Sequence, residues 1–75
     1  MTKYKTVLLM FYTLYTERVL TKEEIMEKCD ITSLTFARYL GNIRSFLKKE
    51  MPGVEIVFEK KYRDYRLIGE LPVEE

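Results

Sequence analysis

The 75-residue chain contains no histidine, one cysteine, two prolines and three glycines. Each scarcity excludes a class of chemistry. Cys29 has no second cysteine to pair with, and without histidine a zinc site lacks its usual ligands, so neither a disulfide, a metal nor any other cofactor is expected. Cys29 reads instead as a small apolar group on a helix. There is no glycine-rich phosphate loop, no serine with a plausible base beside it, and no paired carboxylates set to converge, which argues against an enzyme and against a small-molecule ligand. The longest apolar run, Val7 to Tyr12, falls far short of the roughly 20 residues a membrane-spanning helix needs. No signal-peptide pattern precedes it, so the expectation is a cytoplasmic protein with no membrane partner.

What is present describes one small domain. With 47% hydrophobic and 33% charged residues, the chain reads as a single unit over residues 1–75, its core spanning about residues 3–69 and an acidic tail following over 70–75. Thirteen bases against twelve acids leave a net charge of +1, but the distribution is uneven. From Ile31 to Lys49 the charged residues are Arg38, Arg44, Lys48 and Lys49, with no acid among them. Lys60, Lys61, Arg63 and Arg66 form a second basic island, offset only by Asp64. Acids collect elsewhere, at Glu23, Glu24, Glu27 and Asp30, at Glu50, Glu55 and Glu59, and in the tail. Location rather than total charge therefore carries the information about partners.

Helical periodicity is clear in the first segment, where Tyr4, Val7, Leu8, Phe11, Leu14 and Tyr15 form an apolar stripe and predict a helix from Lys3 to Thr16. Tyr4, Tyr12 and Tyr15 either fill a small core or mark a dimer surface, core filling being the simpler expectation. Thr21 and Glu24 match a capping box and predict a helix over Lys22 to Cys29, burying Ile25, Met26 and Cys29. Asp30-Ile31-Thr32 reads as a tight turn, with Asp30 suited to left-handed angles and Thr32 to capping. The third helix, Ser33 to about Glu50, buries Phe36, Leu40, Ile43 and Leu47 and turns Thr35, Arg38, Asn42, Ser45 and Lys49 outward. Pro52 ends it, and Gly53 supplies the turn. Strands are expected near 54–59 and 64–69, joined as a two-stranded hairpin through the basic segment around Lys60 to Asp64. The expected core is Val7, Leu8, Phe11, Ile25, Ile31, Phe36, Leu40, Ile43, Leu47, Ile56, Phe58 and Leu67.

Three helices followed by a basic-tipped hairpin, with only three residues between the second and third helices, is the α+β element order of a winged helix-turn-helix. An α-helix fits the major groove, and the side facing base edges must be polar and free of carboxylates, as the outer face of the third helix is. On that logic Ser33, Leu34, Thr35, Arg38, Asn42 and Lys49 are the candidate contacts from the helix, and Lys60, Lys61 and Arg63 those from the hairpin. Each has a plainer structural reading: a solvated arginine for Arg38, a capping hydroxyl for Thr35, edge-protecting charges for the hairpin lysines.

The segment Thr21 to Leu40, TKEEIMEKCDITSLTFARYL, resembles the helix-turn-helix of DeoR-type bacterial repressors and of related biotin-repressor-like winged helices. The shared features are a Ser/Thr cap, two acids, an apolar pair, a turn ending in Ile-Thr, and then Thr35-x-x-Arg38-x-Leu40. Tyr65-Arg66-Leu67 likewise resembles the last strand of the wing. The family's turn glycine is Asp30 here, its helix-two alanine is Met26, and its Arg-Arg-Asp is Ala37-Arg38-Tyr39. The resemblance implies a transcriptional regulator that binds double-stranded DNA, aided by a homodimer or a protein partner because one module of this size covers little DNA. Two rivals remain at this level. One is a protein-interaction winged helix of phage or mobile-element type, marked by joint exposure of Leu34, Tyr39, Phe46 or Tyr62. The other is a binder of structured RNA, marked by aromatic rings exposed on the hairpin.

Overall fold

Helix α1 (Lys3–Glu17) opens at Thr2, whose hydroxyl accepts the Lys5 N–H at 3.4 Å, in a computed structural model that describes residues 2–70. Of the acidic tail expected over 70–75, residues 71–75 lie outside the described residues. Arg18 ends α1 in a left-handed conformation (φ 67°), its N–H donating to the Leu14 carbonyl at 2.9 Å. The Arg18 carbonyl then accepts the Leu67 N–H at 3.0 Å, which ties the end of the helix to the sheet. A two-residue strand, β1 (Val19–Leu20), follows at once.

Helix α2 (Lys22–Cys29) starts at Thr21, but the expected capping box is not formed: Thr21 makes no side-chain cap bond. Strand β1, which immediately precedes it, sets the entry angle, and Glu23 and Glu24 in the first turn face the positive end of the helix dipole. Asp30 takes left-handed angles (φ 53°, ψ 55°) as its residue type suggests, and the Ile31 N–H reaches back to the Met26 carbonyl at 3.1 Å. Thr32 caps α3 (Ser33–Glu50) by accepting the Thr35 N–H at 3.2 Å. The helix closes where Pro52 requires, with the Met51 N–H on the Leu47 carbonyl at 2.7 Å.

Strands β2 (Val54–Glu59) and β3 (Asp64–Gly69) pair antiparallel from Val54↔Gly69 to Glu59↔Asp64. The sheet has three strands, in the order β1-β3-β2, rather than the two expected, because Val19 and Leu20 add to the free edge of β3 opposite Arg66 and Tyr65. Two residues are too few to show a period in the sequence. Pro52 and Gly53 form the expected turn, closed by the Val54 N–H on the Met51 carbonyl at 2.9 Å, without a left-handed angle at Gly53; among the described glycines Gly69 takes one (φ 115°). A β-carbon on Gly69 would collide with the Gly53 carbonyl and come within 2.9 Å of the Val54 Cα, so the glycine requirement sits at the far end of the hairpin.

The core joins Met10 and Leu14 of α1, Leu20 of β1, Ile25 and Cys29 of α2, Phe36, Leu40, Ile43 and Leu47 of α3, and Val54, Ile56 and Leu67 of the sheet. The third helix buries the four residues its spacing specifies. The first does not: α1 buries Thr6, Met10 and Leu14, while Val7 and Phe11 are half-buried and Leu8 is 66% exposed. The apolar stripe expected to face the core is thus rotated to its edge. Tyr4 and Tyr12 are exposed rather than core-filling. Ile31 and Met26 are half-buried, and Phe58 is exposed because the hairpin runs on past the helical layer; its ring leans on Tyr65, centroids 5.0 Å apart. Among the described residues, no helix is long and apolar enough to cross a membrane.

Candidate functional site

Burial of Phe36, Leu40, Ile43 and Leu47 fixes the rotation of α3, and so fixes what it shows to solvent. Ser33, Leu34, Arg38 and Lys49 are exposed. Thr35 is half-buried and engaged with the cap, its hydroxyl oxygen accepting from the Thr32 hydroxyl at 3.1 Å. Asn42 is exposed but sits toward α1, where it lines a groove with Val7, Phe11 and Phe46. The structure therefore keeps Arg38 outward while separating Asn42 from it toward an apolar neighbour.

On the opposite flank of α3 stand two bases not singled out from the sequence. Arg44 and Lys48 border a hollow of about 350 Å³ shared with Leu47, Pro52, Val54, Glu55 and Ile56, and an Arg44 guanidinium N–H donates to the Ile56 carbonyl at 3.4 Å. Their acid-free neighbourhood was visible in the sequence. Which side of the helix the sheet would cover was not.

The hairpin tip, residues 60–63, is built by local contacts. The Lys61 N–H donates to the Glu59 carboxylate at 3.3 Å, and Arg63 takes a left-handed φ of 53° just before β3. Arg66 turns back onto Asp64 with two hydrogen bonds, Nε to Oδ1 at 3.0 Å and Nη2 to Oδ2 at 3.3 Å. That bond to Asp64 lifts the Arg66 pKa further above its ordinary value. The Tyr62 ring has the Arg66 guanidinium 4.7 Å and the Lys61 ammonium 5.4 Å from its centroid. Arg66 thus braces the hairpin, and Lys60, Lys61 and Arg63 remain exposed at its tip.

Strand β2 runs back along α3. Val54 shares a hollow with Leu47 and Lys48, Ile56 meets Arg44, and Phe58 contacts Tyr65, whose ring lies 5.5 Å from that of Phe36. Leu47 to Phe36 is a path of about 16 Å toward the helix start, at 1.5 Å per residue. The tip is therefore carried toward the amino-terminal end of α3, where Ser33, Leu34 and Arg38 stand. Among the described residues the only ion pair joins Arg66 to Asp64. Arg38, Lys48, Lys49, Lys60, Lys61 and Arg63 form no ion pair among the described residues.

Comparison with known protein families, with characterised proteins and with solved structures finds no match.

Proposed function

We propose that this chain is a winged helix-turn-helix domain that binds double-stranded DNA, with α3 in the major groove and the hairpin tip on the backbone, acting as a cytoplasmic transcriptional regulator rather than an enzyme. The observation that carries this reading is a set of exposed cations that form no ion pair among the described residues, Arg38 in α3 and Lys60, Lys61 and Arg63 in the hairpin tip. Phosphate contacts from the tip would position the module, and Arg38 would read a base edge, a bidentate pair with guanine being the geometry its guanidinium suits. Leu34, exposed in the first turn of α3, offers an apolar contact to a thymine methyl.

Of the apolar groups whose joint exposure would favour a protein-docking surface, Leu34, Phe46 and Tyr62 are exposed and Tyr39 is half-buried, each with a local neighbour or a separate place on the fold. Phe46 packs on Phe11, Tyr39 is half-buried with Lys3 near its ring, and Tyr62 has Arg66 and Lys61 near its ring. A second reading has one observation in its favour: Phe58 and Tyr62 expose aromatic rings on the hairpin, as a protein that stacks on structured RNA requires. The test is selection from a random duplex library, followed by competition of the selected duplex against an RNA hairpin of the same length. Recovery of a consensus duplex that the RNA fails to displace supports the DNA reading. Displacement by RNA at lower concentration favours the second, and binding to neither removes both.

A further inference from the structure

Helix α1 carries two apolar arcs, and this domain buries only one of them. From Thr6 to Thr16 the helix has no charged residue on any side, a pattern characteristic of helices covered all round. One arc, Thr6, Met10 and Leu14, is fully buried. The other runs through Tyr4, Leu8 and Tyr12, which are 79%, 66% and 65% exposed, and continues over half-buried Val7 and Phe11 to Phe46 of α3. Beside this ridge lies a groove of about 300 Å³ lined by Val7, Leu8, Phe11, Asn42, Ile43 and Phe46, whose Phe11 and Phe46 rings meet edge to face at 5.9 Å.

The choice of buried arc is the opposite of what an isolated domain favours. The inward arc places the Thr6 hydroxyl at zero exposure with no hydrogen-bond partner among the described residues, while a leucine and two tyrosines are left in water. With rings of about 150 to 250 Å² each, half to four-fifths exposed, Tyr4, Tyr12 and Phe46 together with Leu8 present roughly 500 Å² of largely apolar surface. That lies at the upper end of what a monomer commonly exposes, about 300 to 600 Å², and with a polar rim it approaches the roughly 800 Å² per partner of a stable interface.

We infer that this arc is covered by the same arc of a second copy of the chain, the two α1 helices packing antiparallel about a two-fold axis near Leu8 and Tyr12, each ridge seated in the other's groove. The absence of charge selects this occupant. Across a two-fold axis every residue faces its own kind of patch, so a surface with net charge repels itself, whereas this one carries no charge of either sign along its centre. One-third of the chain is charged, yet none of the residues from Thr6 to Thr16 is. A membrane surface is a poorer match, since such helices carry many lysines and arginines along the polar face, and on α1 the bases are confined to its ends, Lys3 and Lys5 at one and Arg18 beside Glu17 at the other. Pairing in this way leaves the outward face of α3 and the hairpin tip free in both copies.

Sedimentation equilibrium of the chain without nucleic acid tests this apart from any DNA-binding role. The parent is expected to sediment with the mass of two chains, and Leu8→Glu with that of one, its circular dichroism retaining the parent's helix content. Tyr12→Glu, on the same exposed ridge, is the second variant, so that misfolding of one leaves the other to decide. A parent with single-chain mass at the highest soluble concentration overturns the inference, as does a dimer that persists in both variants. A chain that dimerises through this ridge yet ignores every duplex would leave the dimer standing and remove the DNA reading alone.

Discussion

Thr6 shows how much a single buried side chain discloses. Thr13 and Thr16 on the same helix donate their hydroxyls to the carbonyls four residues back, each at 2.8 Å, whereas the Thr6 hydroxyl is enclosed without a partner. Thr6→Val keeps the branched shape and removes the desolvated hydroxyl, so the chain should gain about 1 kcal/mol or more in urea unfolding. Unchanged or lower stability would mean that the hydroxyl is hydrogen-bonded in solution. Arg38 makes the converse case: it is exposed and makes no ion pair among the described residues, so Arg38→Ala should alter stability by no more than about 0.5 kcal/mol. If it reads guanine, binding to a selected duplex should weaken by about 1 to 3 kcal/mol, with preference relaxed at one base pair. Equal affinity of parent and variant would remove Arg38 from the recognition surface. Helical spacing made the outward position of Arg38 legible in the sequence, because Phe36, Leu40, Ile43 and Leu47 fix the opposite face as the buried one. Thr6 was illegible, because a threonine's preference for surface or core is too weak to announce a burial that the packing of the whole helix imposes.

At the scale of elements, α3 and the hairpin each carry a testable feature. Gly41 stands in the middle of α3, exposed, where an added β-carbon would meet nothing within 4 Å. Glycine there costs about 1 kcal/mol relative to alanine, and nothing in the domain requires it. Gly41→Ala should therefore raise stability by roughly 0.5 to 1 kcal/mol. On the DNA-binding reading it should also weaken duplex binding, because the helix would approach the groove less closely at this point; stronger binding together with higher stability would exclude a close approach at Gly41. In the hairpin, replacing Lys60 and Lys61 by alanine should weaken all duplexes alike and flatten the salt dependence of binding by about one logarithmic unit per lost phosphate contact. A slope equal to the parent's would take the tip off the DNA. The bounds of α2, α3, β2 and β3 were legible because each is punctuated by residues with local effects: Asp30 for left-handed angles, Thr32 for a cap, Pro52 for a stop. Strand β1 was not, since its pairing with β3 joins Val19 to Arg66 across most of the chain.

For the whole molecule, dimerisation and folding are linked. If two copies share the α1 ridge, the melting temperature should rise with protein concentration, because association stabilises the folded form by mass action. Leu8→Glu should melt at a temperature independent of concentration; a parent that does the same is a monomer. Two copies about a two-fold axis would present two α3 faces, which predicts that any selected duplex site is palindromic, its half-sites separated by whole turns of about 10 base pairs.

The amino-acid sequence by itself determined the bounds of the three helices and of β2 and β3, the turn between α2 and α3, the buried face of α3 and the two basic islands, because each depends on local backbone preference or on a period repeated over several turns. It also disclosed the apolar stripe of α1. Tertiary structure alone decided what that stripe faces. A helix with two apolar arcs satisfies the same periodicity in either rotation, and the choice falls to the shape of the surface offered by α3, β1 and the sheet. The same holds for Arg66, which the sequence places among the tip's cations and the fold turns back onto Asp64, and for Phe58, whose strand outruns the helical layer that would have covered it.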